Sequence, residues 1–340
     1  MPSQKQALER KDNISAIVAH LRTAGKKSRR ELCDELRLSW GCISELSLLL
    51  LQQNILVEEP APTPTKGRSP GLLALNPGIL YLGILVEKTG LKASVCNLPG
   101  HELAAYNEPL DYSSKEALIA CVSAFTQKVL DAHPQIQGIG FAMQGICHQA
   151  EGTWEFPSRP HIYLNIEDLQ SLFTLPSIVE HDTNCVLYSS LTNTRQRKMI
   201  LHLSQGIGAA LYTPTGFSKS DLMEFGYLVV DPQGTTMQQV ASLDALRRHC
   251  GNADPTEAQQ FFADMGNYLG TALANFCNLI HLDEILLCGD MVSYYDRFCL
   301  TMTSAYDQTV LSAARATITP ISQSNAAYGA ARMAMDILLN

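Results

Sequence analysis

Residues 28–59 read SRRELCDELRLSWGCISELSLLLLQQNILVEE and gather groups suited to meeting a polyanion. Arg29 and Arg30 open one apolar-periodic segment, and Ser39, Trp40, Gly41 and Ser44 open the next. Guanidinium groups bind phosphate, and small or planar side chains near the start of a helix are placed to read base edges. A second set stands at later segment ends: Gly145 after an apolar run, His181, Asp182 and Asn184 in VEHDTNC, and Glu224 and Tyr227 in MEFGY. Two carboxylates and an imidazole together accept from and donate to several ring hydroxyls, which is the chemistry of a sugar pocket. Asp182 equally suits the N-cap of a helix starting near Thr183, and Glu224 equally suits a solvated loop.

The first set needs two short helices. Leu32 and Leu36 lie four apart and share one face. Ser39 suits an N-cap, and Ile43, Leu46 and Leu50 then point inward at three- and four-residue steps. This spacing predicts a helix-turn-helix, whose second helix enters the DNA major groove. An ordinary helical hairpin shares the spacing, so the flanks matter. Upstream, Ile14, Ile17, Val18 and Leu21 form the stripe of a third helix. Downstream, residues 54–57 and 72–75 read as strands joined by PAPTPTKGRSPG, a hairpin with a long tip that carries Lys66 and Arg68. The arrangement predicted for residues 1–75 is a winged helix-turn-helix.

Charge divides the chain at the same place. Residues 1–70 hold eleven Lys/Arg against eight Asp/Glu, a surplus of three positive charges, while the whole chain is at −8 and the remainder therefore at −11. A basic head on an acidic body suits a module that meets phosphate joined to one that does not. So mild a surplus predicts weak binding by one copy, and hence a homodimer or tetramer that presents two heads to a double-stranded operator.

With 46% hydrophobic residues over 340, the chain can bury more than one core. MPSQKQALERKDN has no apolar stretch of the secretory kind, and no apolar run reaches the roughly 18 residues that span a bilayer. Ten cysteines are scattered without a CxxC pair. These features predict a reduced, cytoplasmic protein without disulfides, membrane span or zinc knuckle.

From residue 76 the pattern alternates. Strands are predicted at 81–86, 91–96 and 102–106, a helix at 114–132, and a strand at 136–143 that runs into Gln144-Gly145. A related series follows: strand 177–182, helix 183–193, strand 199–204, a GIGAAL turn, a hairpin at 212–216, helix 256–280, strand 284–288 and helix 325–339. Two α/β lobes with a cleft between them are expected.

The order of these pieces is specific. Winged helix, GRSP wing, YLGI strand, VEHDTNC, SQGIGAAL, MEFGYLVVDPQG and a terminal NAAYGAA helix together resemble the ROK family of sugar kinases and sugar-responsive repressors, in particular its N-acetylglucosamine- and xylose-repressor-like regulators. The resemblance implies a two-lobed actin/hexokinase-like (ribonuclease H-like) ATPase fold over residues 76–340. It places Asp182 where family kinases carry the base that acts on a sugar hydroxyl, and Glu224 where a carboxylate contacts the sugar. His181 replaces the family Asn. Tyr227 replaces a His that touches sugar and helps hold zinc, and the CxCGxxGC zinc loop is replaced by TTMQQVASLDAL, so no structural zinc and no cofactor are expected. The phosphate-binding DxGGTK turn becomes Leu85-Val86-Glu87-Lys88-Thr89-Gly90, and Asp290 follows Cys288-Gly289 where a Gly pair is usual.

These departures lead to the expectation of a non-catalytic, sugar- or sugar-phosphate-responsive transcriptional regulator, a repressor. Asp182, Glu224, His181, Asn184, Gly145 and Tyr227 would hold the ligand. Arg29, Arg30, Ser39, Trp40, Gly41, Ser44, Lys66 and Arg68 would meet DNA. An active sugar kinase, or a regulator whose body serves only as a dimer scaffold, are the alternatives.

Overall fold

Local capping sets where the first helices begin and end. The computed structural model describes residues 4–60, 71–148, 152–156, 162–191, 196–217, 223–251, 258–322 and 325–339. Helix α1 spans Gln4–Ala24, strand β1 Lys27–Ser28, α2 Arg29–Leu36 and α3 Trp40–Gln52. The Ser28 hydroxyl accepts from the Glu31 N–H while the Glu31 carboxylate accepts from the Ser28 N–H, so two otherwise orphaned donors are satisfied where α2 starts. Arg37 ends α2 with φ +55°, and two residues later the Ser39 hydroxyl accepts from the Cys42 N–H to start α3.

Strands β2 (Leu56–Glu59) and β3 (Leu72–Leu75) pair antiparallel, Leu56 opposite Leu75, and β1 adds to the free side of β3. The sequence placed the first strand of this hairpin at 54–57. Asn54 instead takes φ +59° and turns the chain out of α3, which delays the strand by two residues. The hairpin tip with Lys66 and Arg68 lies outside the described residues.

The chain divides into two compact units, Met1–Asp182 with Ala327–Asn340, and Thr183–Ala326. The first continues with β4 (Leu80–Glu87), β5 (Gly90–Asn97), β6 (Glu102–Glu108), α4 (Lys115–Ala132) and β7 (Ile136–Met143). Next come β8 (Ile146–His148), β9 (Thr153–Glu155), β10 (Tyr163–Asn165), α5 (Ile166–Gln170) and β11 (Ser177–His181). Its large sheet has the order β11-β7-β4-β5-β6, with β4, β5 and β6 antiparallel and β7 and β11 parallel to β4. The small sheet β10-β9-β8, which the sequence reading did not anticipate, forms from strands too short to show a period.

Both faces of the large sheet are covered. Leu118, Val122, Phe125 and Val129 of α4 join one cluster with the sheet. On the other side, the last helix, α11 (Ala326–Leu338), shares a cluster with Tyr81, Cys96 and Leu98. That cluster runs without a break into Ile17, Val18 and Leu21 of α1, Leu32 of α2, Ile43, Leu46 and Leu50 of α3, and Leu56, Leu73 and Leu75 of the hairpin. Arg22 of α1 reinforces the join. Its buried guanidinium donates to the Leu98 carbonyl at 3.2 Å and to the Asp336 carboxylate of α11 at 2.7 Å.

The seat of α11 is glycine. Gly83 of β4 and Gly140 of β7 are partners across paired strands. A β-carbon on Gly83 would stand 1.8 Å from the Ala327 carbonyl oxygen, and one on Gly140 2.2 Å from that of Ala330. Helix backbone therefore lies directly on sheet backbone, which no larger residue permits.

The second unit follows the same plan. After α6 (Asp182–Ser190) come β12 (Lys198–Leu203), β13 (Ile207–Thr213), β14 (Gly216–Phe217), α7 (Met237–Ala241), α8 (Leu243–Cys250) and α9 (Gln259–Leu279). Then follow β15 (Glu284–Cys288), α10 (Tyr295–Thr309) and β16 (Thr317–Pro320). The sheet order β14-β13-β12-β15-β16 again joins three antiparallel strands to two parallel ones. α9 and α10 pack backbone to backbone, since a β-carbon on Gly270 would meet the Met302 carbonyl oxygen at 2.1 Å.

Three expectations change here. Most of GIGAAL is strand β13, not turn. The helix expected at 183–193 covers Asp182–Ser190. Residues 237–250 and 295–309 form helices that the sequence reading left unassigned. Among the described residues no helix is long and apolar enough to cross a membrane.

Gly83→Ala tests the seat. Because the clash is with backbone rather than with a side chain that can swing away, the substitution should lower the stability of the first unit by about 3 kcal/mol or more. Urea unfolding followed by far-UV circular dichroism measures this. Gly41→Ala is the control, as nothing lies within 4 Å of its would-be β-carbon. Equal midpoints for the two variants would mean that α11 is not seated on the sheet.

Candidate functional site

The outward face of α3 is built by exclusion. Ile43, Leu46, Ser47 and Leu50 are buried, so at 3.6 residues per turn Gly41, Glu45 and Leu48 fall on the opposite side, Ser44 on the flank, and Trp40, three residues before Ile43, at the edge of the buried face in the first turn. Trp40 is 60% exposed, which removes it from the core. Leu48 is exposed as well, Gly41 and Glu45 are exposed, and Ser44 is half-buried. The Ser39 hydroxyl is engaged in capping.

Among the described residues, four cations of this head are paired with its own carboxylates. Arg10 pairs with Glu45 at 3.6 Å, Lys26 with Glu59, Lys27 with Glu35 at 2.7 Å, and Arg29 with Glu58 at 2.8 Å. The Lys27 ammonium is held above its usual range chiefly by the hydrogen bond to Glu35. Arg30, expected from the sequence, is exposed. Arg37, which sequence reasoning missed, is exposed in the turn directly between α2 and α3. Its only signal was position: the second residue before a capping serine.

In the first unit Gly145, His181 and Asp182 come together. His181 ends β11 and its Nε2–H donates to the Gly145 carbonyl at 2.9 Å. Its Nδ1 faces the Asp182 carboxylate at 3.1 Å. The Gly145 bond orients the ring, and Nδ1 donates to the carboxylate only when the imidazole carries both protons. Buried Trp154 of β9 lies against it, ring centres 6.0 Å apart. Gly145 takes φ +131°, and a β-carbon there would meet the Glu155 carbonyl at 2.4 Å and the Trp154 indole nitrogen at 3.0 Å. Trp154 is a wall residue that sequence reasoning did not find. Asp182 is the first residue of α6 rather than the cap before it, and a carboxylate in the first turn is favoured by the helix dipole. Its side chain keeps 13% exposure.

In the second unit Thr183 and Asn184 continue the first turn of α6. A β-carbon on Gly208 would stand 2.6 Å from the Thr183 hydroxyl, so the glycine makes room for this turn against β13. Glu224 and Tyr227 bracket one 3₁₀ turn, in which the Tyr227 N–H donates to the Glu224 carbonyl at 3.0 Å. Glu224 is half-buried and Tyr227 is exposed.

The TTMQQVASLDAL stretch is ordered by its own hydrogen bonds. The Asp231 carboxylate accepts from the Gln233 and Thr235 N–H groups, and hydrogen bonding by the Thr235 side chain first, then by its N–H, holds it below the usual carboxylate range. Thr236 and Gln239 cap α7 reciprocally, Ser242 caps α8, and Met237, Ala241 and Leu246 enter the core. Among the described residues no group of three or more His, Cys, Asp or Glu side chains is arranged to hold a metal ion.

The two Gly-bearing turns are also accounted for. At the β4–β5 turn the Lys88 N–H donates to the Gln144 side chain at 2.8 Å, and Gly90 has φ +149°. In the second unit the Ser204 hydroxyl donates to the Asp290 carboxylate, tying the exit of β12 to the exit of β15. Gly289 is required between them, as its β-carbon would stand 2.5 Å from the Leu203 carbonyl oxygen.

No protein-family model matches the sequence. It is 23% identical over 239 residues to a beta-glucoside kinase of Klebsiella pneumoniae, spanning 60% of this chain and 79% of the relative. Among solved structures, a ROK family transcriptional regulator described as a homolog of the E. coli MLC protein matches with a TM-score of 0.81 at 17% identity, covering 97% of this chain and 96% of that one. The chain has the ROK fold. A ROK family glucokinase from Streptomyces griseus, solved with glucose and AMPPNP, matches with a TM-score of 0.62 at 16% identity, covering 75% of this chain and 99% of that one.

These likenesses bear out the ROK resemblance read from the order of the motifs. They also correct one expectation. The chain was expected not to be an enzyme, on the ground that its phosphate turn is altered. The relative found by sequence is a kinase, and ROK kinases share nearly their whole length with this chain, so changes at one turn do not establish the absence of catalysis.

Proposed function

We propose that this chain is a sugar-responsive DNA-binding transcriptional regulator, a repressor, built as a homodimer or tetramer. One observation carries the reading. The ROK regulator covers 97% of the chain whereas the ROK glucokinase covers 75%, a difference of the size of the N-terminal head. Residues 1–75 are read as a winged helix-turn-helix with α3 as the recognition helix. Residues 76–340 are read as an actin/hexokinase-like body of two lobes that binds a sugar or sugar phosphate. The setting is cytoplasmic and reduced. A ligand regulates by favouring one body conformation, and the shared core of α1, the hairpin and α11 carries that preference to the heads.

A second reading, sugar phosphorylation by the body, is favoured by the kinase relative. ATP consumption over a panel of hexoses, N-acetylhexosamines and β-glucosides decides it. Turnover at roughly 1 s⁻¹ or above, in the ordinary enzyme range, makes the chain a kinase that carries a head.

For DNA, Arg30→Ala with Arg37→Ala should weaken binding and reduce the slope of log affinity against log salt by about 0.9 for each phosphate no longer neutralised. Arg29→Ala should do less, because Arg29 first has to leave Glu58. An unchanged slope in the double variant counts against the assignment.

For the ligand, Asp182→Asn should abolish the thermal shift that the best sugar of the panel gives the wild type. A sugar at 100 times its Kd stabilises by about 2.7 kcal/mol, so the shift is readable. Equal affinity in both proteins would put the pocket elsewhere. A panel without any shift would favour the scaffold reading.

We also infer that no structural zinc is held, given Tyr227 and the Cys-free loop. Elemental analysis of protein prepared without chelator should find well under one zinc per chain, and a chelator should leave the melting temperature unchanged. One full equivalent of zinc would overturn this.

A further inference from the structure

We propose that the recognition helix reads thymine through its 5-methyl group, with Trp40 as the reading side chain and Leu48 extending the apolar strip. The inference rests on the DNA-binding reading above. Three observations lead to it. First, α3 carries no Lys or Arg anywhere in WGCISELSLLLLQ, so the strong bidentate contact to guanine is missing from the helix that would enter the groove. Second, what that helix exposes is apolar and planar: Trp40 at 60% and Leu48 at 56%, eight residues apart and therefore on one side, with half-buried Ser44 between them. Glu45, the one charge on this face, pairs with Arg10. Third, Arg30 and Arg37, which form no ion pair among the described residues, lie on the preceding helix and its exit turn. Unpaired positive charge thus lies off α3, and the strip itself carries only the Glu45 charge that Arg10 offsets.

Among base edges in the major groove only thymine presents a methyl group, and apolar side chains select it by burial. An indole on the exposed end of a helix covers a methyl more fully than a short side chain does. Gly41 beside it has nothing within 4 Å of its would-be β-carbon, so no side chain holds the helix away from the base edges. Burying one methyl stabilises by an amount that corresponds to about fourfold in affinity.

The experiment uses the full chain. A duplex pool with a randomised core is enriched on the protein, and the winning duplex is resynthesised with deoxyuridine in place of thymine at one position at a time. Deoxyuridine keeps every hydrogen-bonding group and lacks only the methyl. Affinity should fall about fourfold at one thymine in each half-site. Trp40→Ala should bind the thymine and deoxyuridine duplexes equally, and Trp40→Phe should restore part of the difference. Circular dichroism checks that the variants fold. If all deoxyuridine duplexes bind as well as the parent, or if Trp40→Ala keeps the deoxyuridine penalty, the proposal is wrong although DNA binding stands. If no duplex is enriched, the DNA-binding reading and this inference fall together. If Trp40→Ala leaves DNA affinity intact and light scattering shows a smaller assembly, the strip holds a second copy of the chain and the proposal is overturned.

Discussion

The first unit depends on one close approach, the backbone of α11 lying on the backbone of β4 and β7 at Gly83 and Gly140. Once that helix is seated, one side of it faces the head. Tyr328 donates to the Gly100 carbonyl at 2.7 Å, and Asp336, two turns further on, accepts from Arg22. The β5–β6 turn and α1 are therefore both located by the same helix. The head has no separate core, because its buried leucines and isoleucines belong to the cluster that α11 completes. Interiors pack tightly enough that a displacement of one such helix has to be answered by its neighbours. That is the physical basis for coupling the head to the body.

The carboxylate site is built around one imidazole. The imidazole of His181 spans from the Gly145 carbonyl to Asp182, and Trp154 braces its face. A ring with one nitrogen committed to a backbone carbonyl thus stands beside the Asp182 carboxylate. In the second unit the segment without cysteines is ordered by an aspartate turn, two helix caps and three buried side chains.

How much of this the sequence disclosed follows from the range of each signal. Ser39 as a cap, the inward Ile43, Leu46 and Leu50, and the strands at 80–97 and 136–143 are set by neighbours within a turn or a pleat, so spacing revealed them. The short strands β8, β9 and β10 and the five-residue helix α7 are too short to show a period of their own. The pairing of Arg29 with Glu58 and of Arg22 with Asp336 joins residues 29 and 314 positions apart, which no local pattern encodes. Arg29 accordingly looked free in the sequence and is paired in the structure. The inference from an altered phosphate turn to absent catalysis erred differently: it took one turn as decisive for a body whose likeness to kinases spans nearly the whole of those proteins.

The position of α11 also orders events in time. The helix belongs to the first unit, yet 144 residues of the second unit separate it from the rest of that unit in the chain. During synthesis the glycine seat on β4 and β7 is made early and stays uncovered until the whole second unit has left the ribosome. At about 5–20 residues per second that interval lasts on the order of ten seconds. Throughout it, a flat strip of sheet with exposed glycine backbone awaits its helix while the antiparallel sheet of the second unit is forming. Until then the place that later joins head to body is without the helix that covers it.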